Sequence, residues 1–263
     1  MPFAKVNGVK LYYEVLGEGA PVVLIGGLGS QISSWSSQVP WYSRYFKVVV
    51  FDNRGAGLSE KPRDPYSIED MADDTRQLID FLGIQSASFV GKSMGGMIAQ
   101  WIGIKYPEKV NKLVLACTSA SRDEVGNEIL IMGRDIAIRL GMKAVWLSAL
   151  FLGYTRGYIE KNLDKIKETL ALIPETPEAI DGYIGQSLAC EGHNTRDLVS
   201  KIKAPTLVML GDRDQIASPR RSKELAQVIP GARLEVFEDV GHGFWRERQE
   251  EVDKLVLDFL LES

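Results

Sequence analysis

The chain has 263 residues with 31 basic against 35 acidic, a net charge of -4 and no block of like charges, so it lacks the field that draws in nucleic acid or anionic lipid. Its length can bury a large core in a single domain, and a small molecule is the expected partner. Two cysteines, Cys117 and Cys190, exclude a disulfide framework and make a reduced cytoplasmic setting the expectation, with one pairing left open to a secreted chain.

The N-terminal run "MPFAKVNGVKLYYEV" alternates like a strand and has neither a basic leader nor a long apolar stretch, so no signal peptide or membrane span is expected. Apolar, β-branched runs recur at "KLYYEVL", "PVVLIGG", "FKVVVFD", "ASFVGK", "KLVLACT", "PTLVMLGD" and "RLEVFEDV". Helical periodicity separates most of them, as over residues 68–81 with Met71, Leu78, Ile79 and Phe81. Strands apolar on both faces belong in an α/β fold, a mostly parallel sheet covered by helices on both sides. From 121 to 194 no strand pattern occurs, only helix-like stretches such as "NEILIMGRDIAIRLGMKAVWLSALFL". The expected organisation is an α/β core over 1–120, an inserted helical lid over 121–194 and the rest of the core over 195–263. Met132, Met142, Trp146, Leu150, Phe151 and Tyr154 are assigned to the lid core or to a pocket wall.

The stretch "FVGKSMGG", residues 89–96, fits two chemistries. Gly91-Lys92-Ser93 matches the end of a phosphate-binding loop, but that motif needs a glycine where Ser86 stands and a loop where "ASFV" reads as strand. Gly91-Lys92-Ser93-Met94-Gly95 also matches the G-x-S-x-G elbow, in which glycines flank a serine lifted to a helix N-terminus. The strand before it and the helical "MIAQWIGIKY" after it select the second reading.

A serine nucleophile needs a base, and the chain holds two histidines. His242, in "DVGHGFW", follows the last strand and precedes the closing helix, which places it at the sheet edge where Ser93 emerges. His193, in "CEGHNTRD", reads as a structural histidine hydrogen-bonded near the next helix, with substrate contact as the alternative. The third partner is a carboxylate that orients the imidazole. "LVMLGDRDQIASP" offers Asp212 and Asp214 after a strand; Asp214 is placed to reach across the sheet edge, and Asp212 to bind its own loop. Two histidines and two cysteines so far apart argue against a metal site.

The segments "GGLG" at 26–29, "DNRGAGLS" at 52–59, "GKSMGG" at 91–96, "GDRD" at 211–214 and "GHG" at 241–243 together resemble the α/β-hydrolase fold family over essentially the whole chain. The resemblance implies a triad of Ser93, Asp214 and His242, and an oxyanion hole formed by the backbone N–H groups of Leu28 and Met94. Gly26 stands where that family usually has histidine, a departure expected to loosen the loop. Residues 52–59 are expected to brace it, with Arg54 paired to backbone or carboxylate. Lys92 is also unusual; it is read as a packed stem with a solvated ammonium, the alternative being a charge that raises the field at the elbow.

Within the family the chain is similar to small carboxylesterases and lactonases, among them 3-oxoadipate enol-lactonases and acyl-homoserine lactone hydrolases. That implies a serine hydrolase acting on a small ester or lactone through an acyl-enzyme, without a metal or organic cofactor. Receptor-like members with slow turnover and carbon–carbon bond hydrolases are the alternatives. Epoxide hydrolases and haloalkane dehalogenases place an aspartate where Ser93 stands.

Overall fold

Asn7 and Gly8 break the N-terminal alternating run into two strands. Both take positive φ, 45° and 79°, the type I′ hairpin geometry for which Asn-Gly is a favoured pair. β1 (Phe3–Val6) therefore folds back on β2 (Val9–Leu16), with Val6 opposite Val9. The one strand expected from the alternation is a hairpin, and the Asn-Gly pair is its signal.

Beyond the hairpin, the computed structural model, which describes residues 2–262, alternates strands and helices. The strands are β3 (Pro21–Ile25), β4 (Lys47–Phe51), β5 (Ala87–Lys92), β6 (Val110–Ala116), β7 (Thr206–Gly211) and β8 (Arg233–Phe237). The sheet runs β1-β2-β4-β3-β5-β6-β7-β8 and is parallel from β4 to β8. Because side chains alternate along a strand, Val23 and Ile25 enter one core with Met97 and Ile98, while Val22 and Leu24 enter the other with Val256 and Phe259. Two cores, one per face, account for the apolar runs of the middle strands.

The helices are α1 (Gln38–Tyr42), α2 (Ile68–Phe81), α3 (Met94–Lys105), α4 (Glu124–Leu140), α5 (Met142–Gly153), α6 (Arg156–Ala171), α7 (Pro177–Glu191), α8 (Pro219–Val228), α9 (Phe244–Glu247) and α10 (Gln249–Leu261). A capping box of Ser67 with Asp70 starts α2. Its end differs from the periodic reading: Phe81 is exposed and edges onto Tyr13 instead of entering the core.

The helices α4 to α7 lie between β6 and β7, and a bridge between Ser121 and Asn194 closes the foot of this insertion. Gly141, at φ 85°, divides the long apolar stretch into α4 and α5. Met142 packs with Ala137, Val145 and Tyr183. Met132 and Phe151 are 41% and 62% exposed, so they belong neither to the insertion's core nor to a buried wall. Among the described residues no helix is long and apolar enough to cross a membrane.

The turn over residues 52–59 is anchored to α2. Arg54 donates from Nε and Nη2 to the two carboxylate oxygens of Asp74 at 2.6 and 2.5 Å, and Asn7 Nδ2 adds a bond to Asp74 at 2.9 Å. Both members of the pair are buried. Asp74→Ala strands a guanidinium away from water and is expected to lower stability by about 3–5 kcal/mol, read as a fall in the urea midpoint.

Candidate active site

β5 is hydrogen-bonded on both sides, to β3 and β6, and runs directly into α3 at Ser93. Strand occupies the place a phosphate loop would need. Ser93 takes φ 53° and ψ -116°, a conformation that costs a non-glycine residue about 1–3 kcal/mol. It is held by Ser93 N–H on the Ala116 carbonyl at 2.8 Å, and the Ser93 carbonyl accepts from Gly96 at 2.9 Å. The flanking glycines leave no room for side chains: a Cβ on Gly91 would lie 2.2 Å from the Gly95 oxygen, and one on Gly95 2.1 Å from the Ile25 oxygen.

The loop after β3 lies against the nucleophile, since a Cβ on Gly27 would sit 3.3 Å from Ser93 Cβ. Among the described residues the N–H groups of Leu28 and Met94 donate to no backbone carbonyl; Met94 is the first residue of α3, with no helical carbonyl before it to accept its N–H. At Gly26 the loop is braced by other groups. Asn53 Nδ2 donates to the Gly26 carbonyl at 3.1 Å, and Asp52 accepts from Ile32 N–H at 2.7 Å and Leu58 N–H at 2.8 Å.

A further support comes from the insertion. Gln186 on α7 is fully buried; its Oε1 accepts from Gly29 N–H and its Nε2 donates to the Arg54 carbonyl, both at 2.7 Å. Sequence reasoning passes over Gln186, whose only signal is a polar residue inside "YIGQSLAC". Trp146 and Tyr183 roof the same loop, 3.4 and 3.5 Å from where a Cβ on Gly29 would project.

Asp214 and His242 are brought together. Asp214 follows β7 with its Oδ1 capped by the N–H groups of Ile216 and Ala217, each at 2.8 Å. Its Oδ2 lies 2.7 Å from His242 Nδ1, and since a carboxylate only accepts, Nδ1 carries the hydrogen. Burial lowers the imidazole pKa, but the Asp214 charge more than offsets it and Cys117 acts in the same sense, so the pKa stands well above 6.5. Gly241 and Gly243 flank His242 because α5 ends against them: a Cβ on Gly241 would lie 2.7 Å from the Gly153 oxygen, and one on Gly243 2.3 Å from the Tyr154 ring. Gly243 N–H also donates to the Gly153 carbonyl at 2.7 Å.

Ser93, Asp214 and His242 thus follow the C-terminal ends of β5, β7 and β8, the edge where open α/β sheets place their sites. Among the described residues Ser93 Oγ makes no hydrogen bond, so the structure pairs His242 with Asp214 but does not join it to Ser93. Asp212 is exposed, and the loop-binding role expected of it is performed by Asp214 Oδ1. His193 is buried at the insertion's foot, and neither ring nitrogen has an aligned hydrogen-bond partner among the described residues. Its buried place fits the structural histidine expected, but the hydrogen bond near the next helix is not made among the described residues; burial, only partly offset by the Ser119 carbonyl, holds its pKa at about 4 and the ring neutral. Cys117 and Cys190 are both free and buried. Lys92 also differs from expectation: the residue is half-buried, and its ammonium lies over aromatic rings, 3.7 Å from the centre of Trp35 and 4.7 Å from that of Trp245.

The alpha/beta hydrolase fold family matches residues 20–245, and the chain belongs to it. A 3-oxoadipate enol-lactonase of Acinetobacter baylyi is 30% identical over 236 residues, covering 88% of this chain and 85% of that protein. The enol-lactonase of Burkholderia xenovorans LB400 superposes with a TM-score of 0.92 at 32% identity, over 99% of this chain and 100% of its own. An N-acyl homoserine lactone degrading enzyme superposes with a TM-score of 0.82 at 29% identity, over 98% of this chain and 100% of its own.

Gln186→Ala removes both bonds between α7 and the loops beneath it, leaving the Gly29 N–H and Arg54 carbonyl unpaired. It is expected to lower stability by about 1–3 kcal/mol, measured by urea unfolding. Because His242 is raised by Asp214, a rate that needs neutral imidazole must climb along an acid limb centred above pH 6.5. Asp214→Asn removes the charge and is expected to move that limb downwards in kcat/KM against pH while lowering the plateau.

Proposed function

We propose that the protein is a serine hydrolase of small carboxylic esters or lactones. The observation that carries this reading is the 2.7 Å Asp214–His242 pair at the sheet edge that also bears Ser93 on its constrained elbow. His242 Nε2 takes the proton of Ser93 Oγ as the oxygen attacks the carbonyl carbon, and Asp214 stabilises the imidazolium that forms. Leu28 and Met94 N–H groups receive the oxyanion; one such donor is worth about 3 kcal/mol. Collapse of the tetrahedral intermediate breaks the bond to the leaving alcohol, which takes the proton from His242. Water, deprotonated by His242, then attacks the acyl-enzyme and releases the acid and Ser93.

A lactone yields its hydroxy acid by the same steps, the alcohol staying tethered. The enol-lactonase and homoserine-lactone-degrading relatives support cyclic esters as the first substrates to try. The roof of Trp146 and Tyr183 over Gly29 supports an apolar acyl portion.

Steady-state assays on p-nitrophenyl acetate and butyrate, then on a panel of lactones, test the proposal. Sustained turnover is expected, with Ser93→Ala lowering kcat by about 10⁴-fold or more. A burst of one equivalent followed by silence, with a large thermal shift, would mark a ligand-capturing protein instead. Full activity in Ser93→Ala would exclude the mechanism.

A further inference from the structure

Lys92 is the residue of the elbow motif that this mechanism leaves idle. It closes β5 next to Ser93 and, two residues beyond Val90, falls on the sheet face that carries Trp35 and Trp245. Those indoles come from the other two loops of the centre. Trp35 ends the 3-10 turn (Ile32–Trp35) that follows the oxyanion loop, and Trp245 lies in α9, three residues after His242. The rings meet edge to face at 5.7 Å and 90°, and the Lys92 ammonium sits over both.

The cage is rigid on its far side. Trp245 Nε1 donates to Asp253 Oδ1 at 2.7 Å, and Asp253 also accepts from Gln38 Nε2 and the Tyr42 hydroxyl at 3.3 Å. Both indoles are almost wholly buried. Among the described residues Lys92 forms no ion pair with a carboxylate, so the two aromatic faces are its close counterpart.

We propose that Lys92 is a positioning residue, whose ammonium, held between Trp35 and Trp245, draws the elbow, the oxyanion loop and the histidine loop into one arrangement. The attraction exists only while the amine is protonated. The groups facing it are Arg246 on α9, Cys117 at the end of β6 and Asp253 on α10. Burial, with help from Arg246, lowers the amine to about 7 against an ordinary 10.5, while Cys117 and Asp253 pull the other way. The clamp therefore slackens as pH rises through neutrality.

The lowered amine pKa makes the Lys92 charge itself a cost to the folded state. Between about 7 and 10.5 the unfolded chain holds a proton that the folded one gives up, so this group's penalty grows as pH falls across that window and is constant below it. Removing the charge should leave the fold as stable as before, or more so, while disturbing the site.

The test compares the parent with Lys92→Met and Lys92→Arg between about pH 5 and 9, by tryptophan emission, thermal unfolding, and kcat and KM for p-nitrophenyl butyrate. The parent emission should show a transition near pH 7 that is lost in Lys92→Met. That variant should melt no lower than the parent, keep KM within about twofold and lose about tenfold in kcat. Lys92→Arg, whose guanidinium stacks on indoles and stays charged, should recover most of the rate and carry the alkaline limb to higher pH. Parental kcat and pH profile in Lys92→Met would overturn the proposal, as would a rate in Lys92→Arg no better than in Lys92→Met. The rate arm rests on the serine hydrolase reading, the emission arm does not: if the parent hydrolyses no ester, a transition confined to the lysine-bearing proteins still supports the clamp, and a flat parent trace overturns it.

Discussion

The site hangs on the turn at Ser93, where β5 becomes α3 within one residue. Backbone approaches of the helix start to Gly91 and of the Ile25 carbonyl to Gly95 exclude any side chain at the two flanking positions. That crowding forces Ser93 into positive φ and leaves its hydroxyl standing clear of the sheet. Such strain persists only when the surroundings over-determine it. Here the surroundings are the central strands of a sheet with a core on each face, the part of the molecule least able to relax.

Around this fixed point the other participants are set by loops whose supports lie elsewhere. The loop after β3 is held from below by Asp52 and Asn53, and from above by Gln186. The turn that supplies Asp52 and Asn53 is tied in turn to α2 through Arg54 and Asp74. The histidine loop is gripped on one side by Asp214 and on the other by the end of α5, through Gly153 and Tyr154. The helical insertion is consequently part of the machinery that holds the loops, not only a cover over them.

Much of this was legible along the chain. The apolar runs marked seven of the strand regions, the two glycines marked the elbow, and a chain with two histidines, one of them between glycines after the last strand, pointed to the residue that lies against Asp214. The Asn-Gly hairpin was equally written in the residues, in a signal two letters long. What escaped the reading shares a physical character. Gln186, the cage around Lys92, the exposure of Met132 and Phe151 and the unpartnered ring of His193 each depend on which distant surface a side chain meets.

The sequence by itself determined the order of strands and helices, the elbow and the candidate residues of the site, because these rest on local sterics, periodicity and the scarcity of histidine. Tertiary structure decided the distances and supports: that Asp214, the carboxylate already favoured from the sequence, lies 2.7 Å from His242, that α7 fastens the loop after β3, and that the Lys92 ammonium lies over two indoles. Those pairings join residues up to 157 positions apart, and no local preference encodes them. They follow from the packing of the insertion and the sheet edge, where burial turns an ordinary lysine, aspartate or glutamine into a constraint on its neighbours.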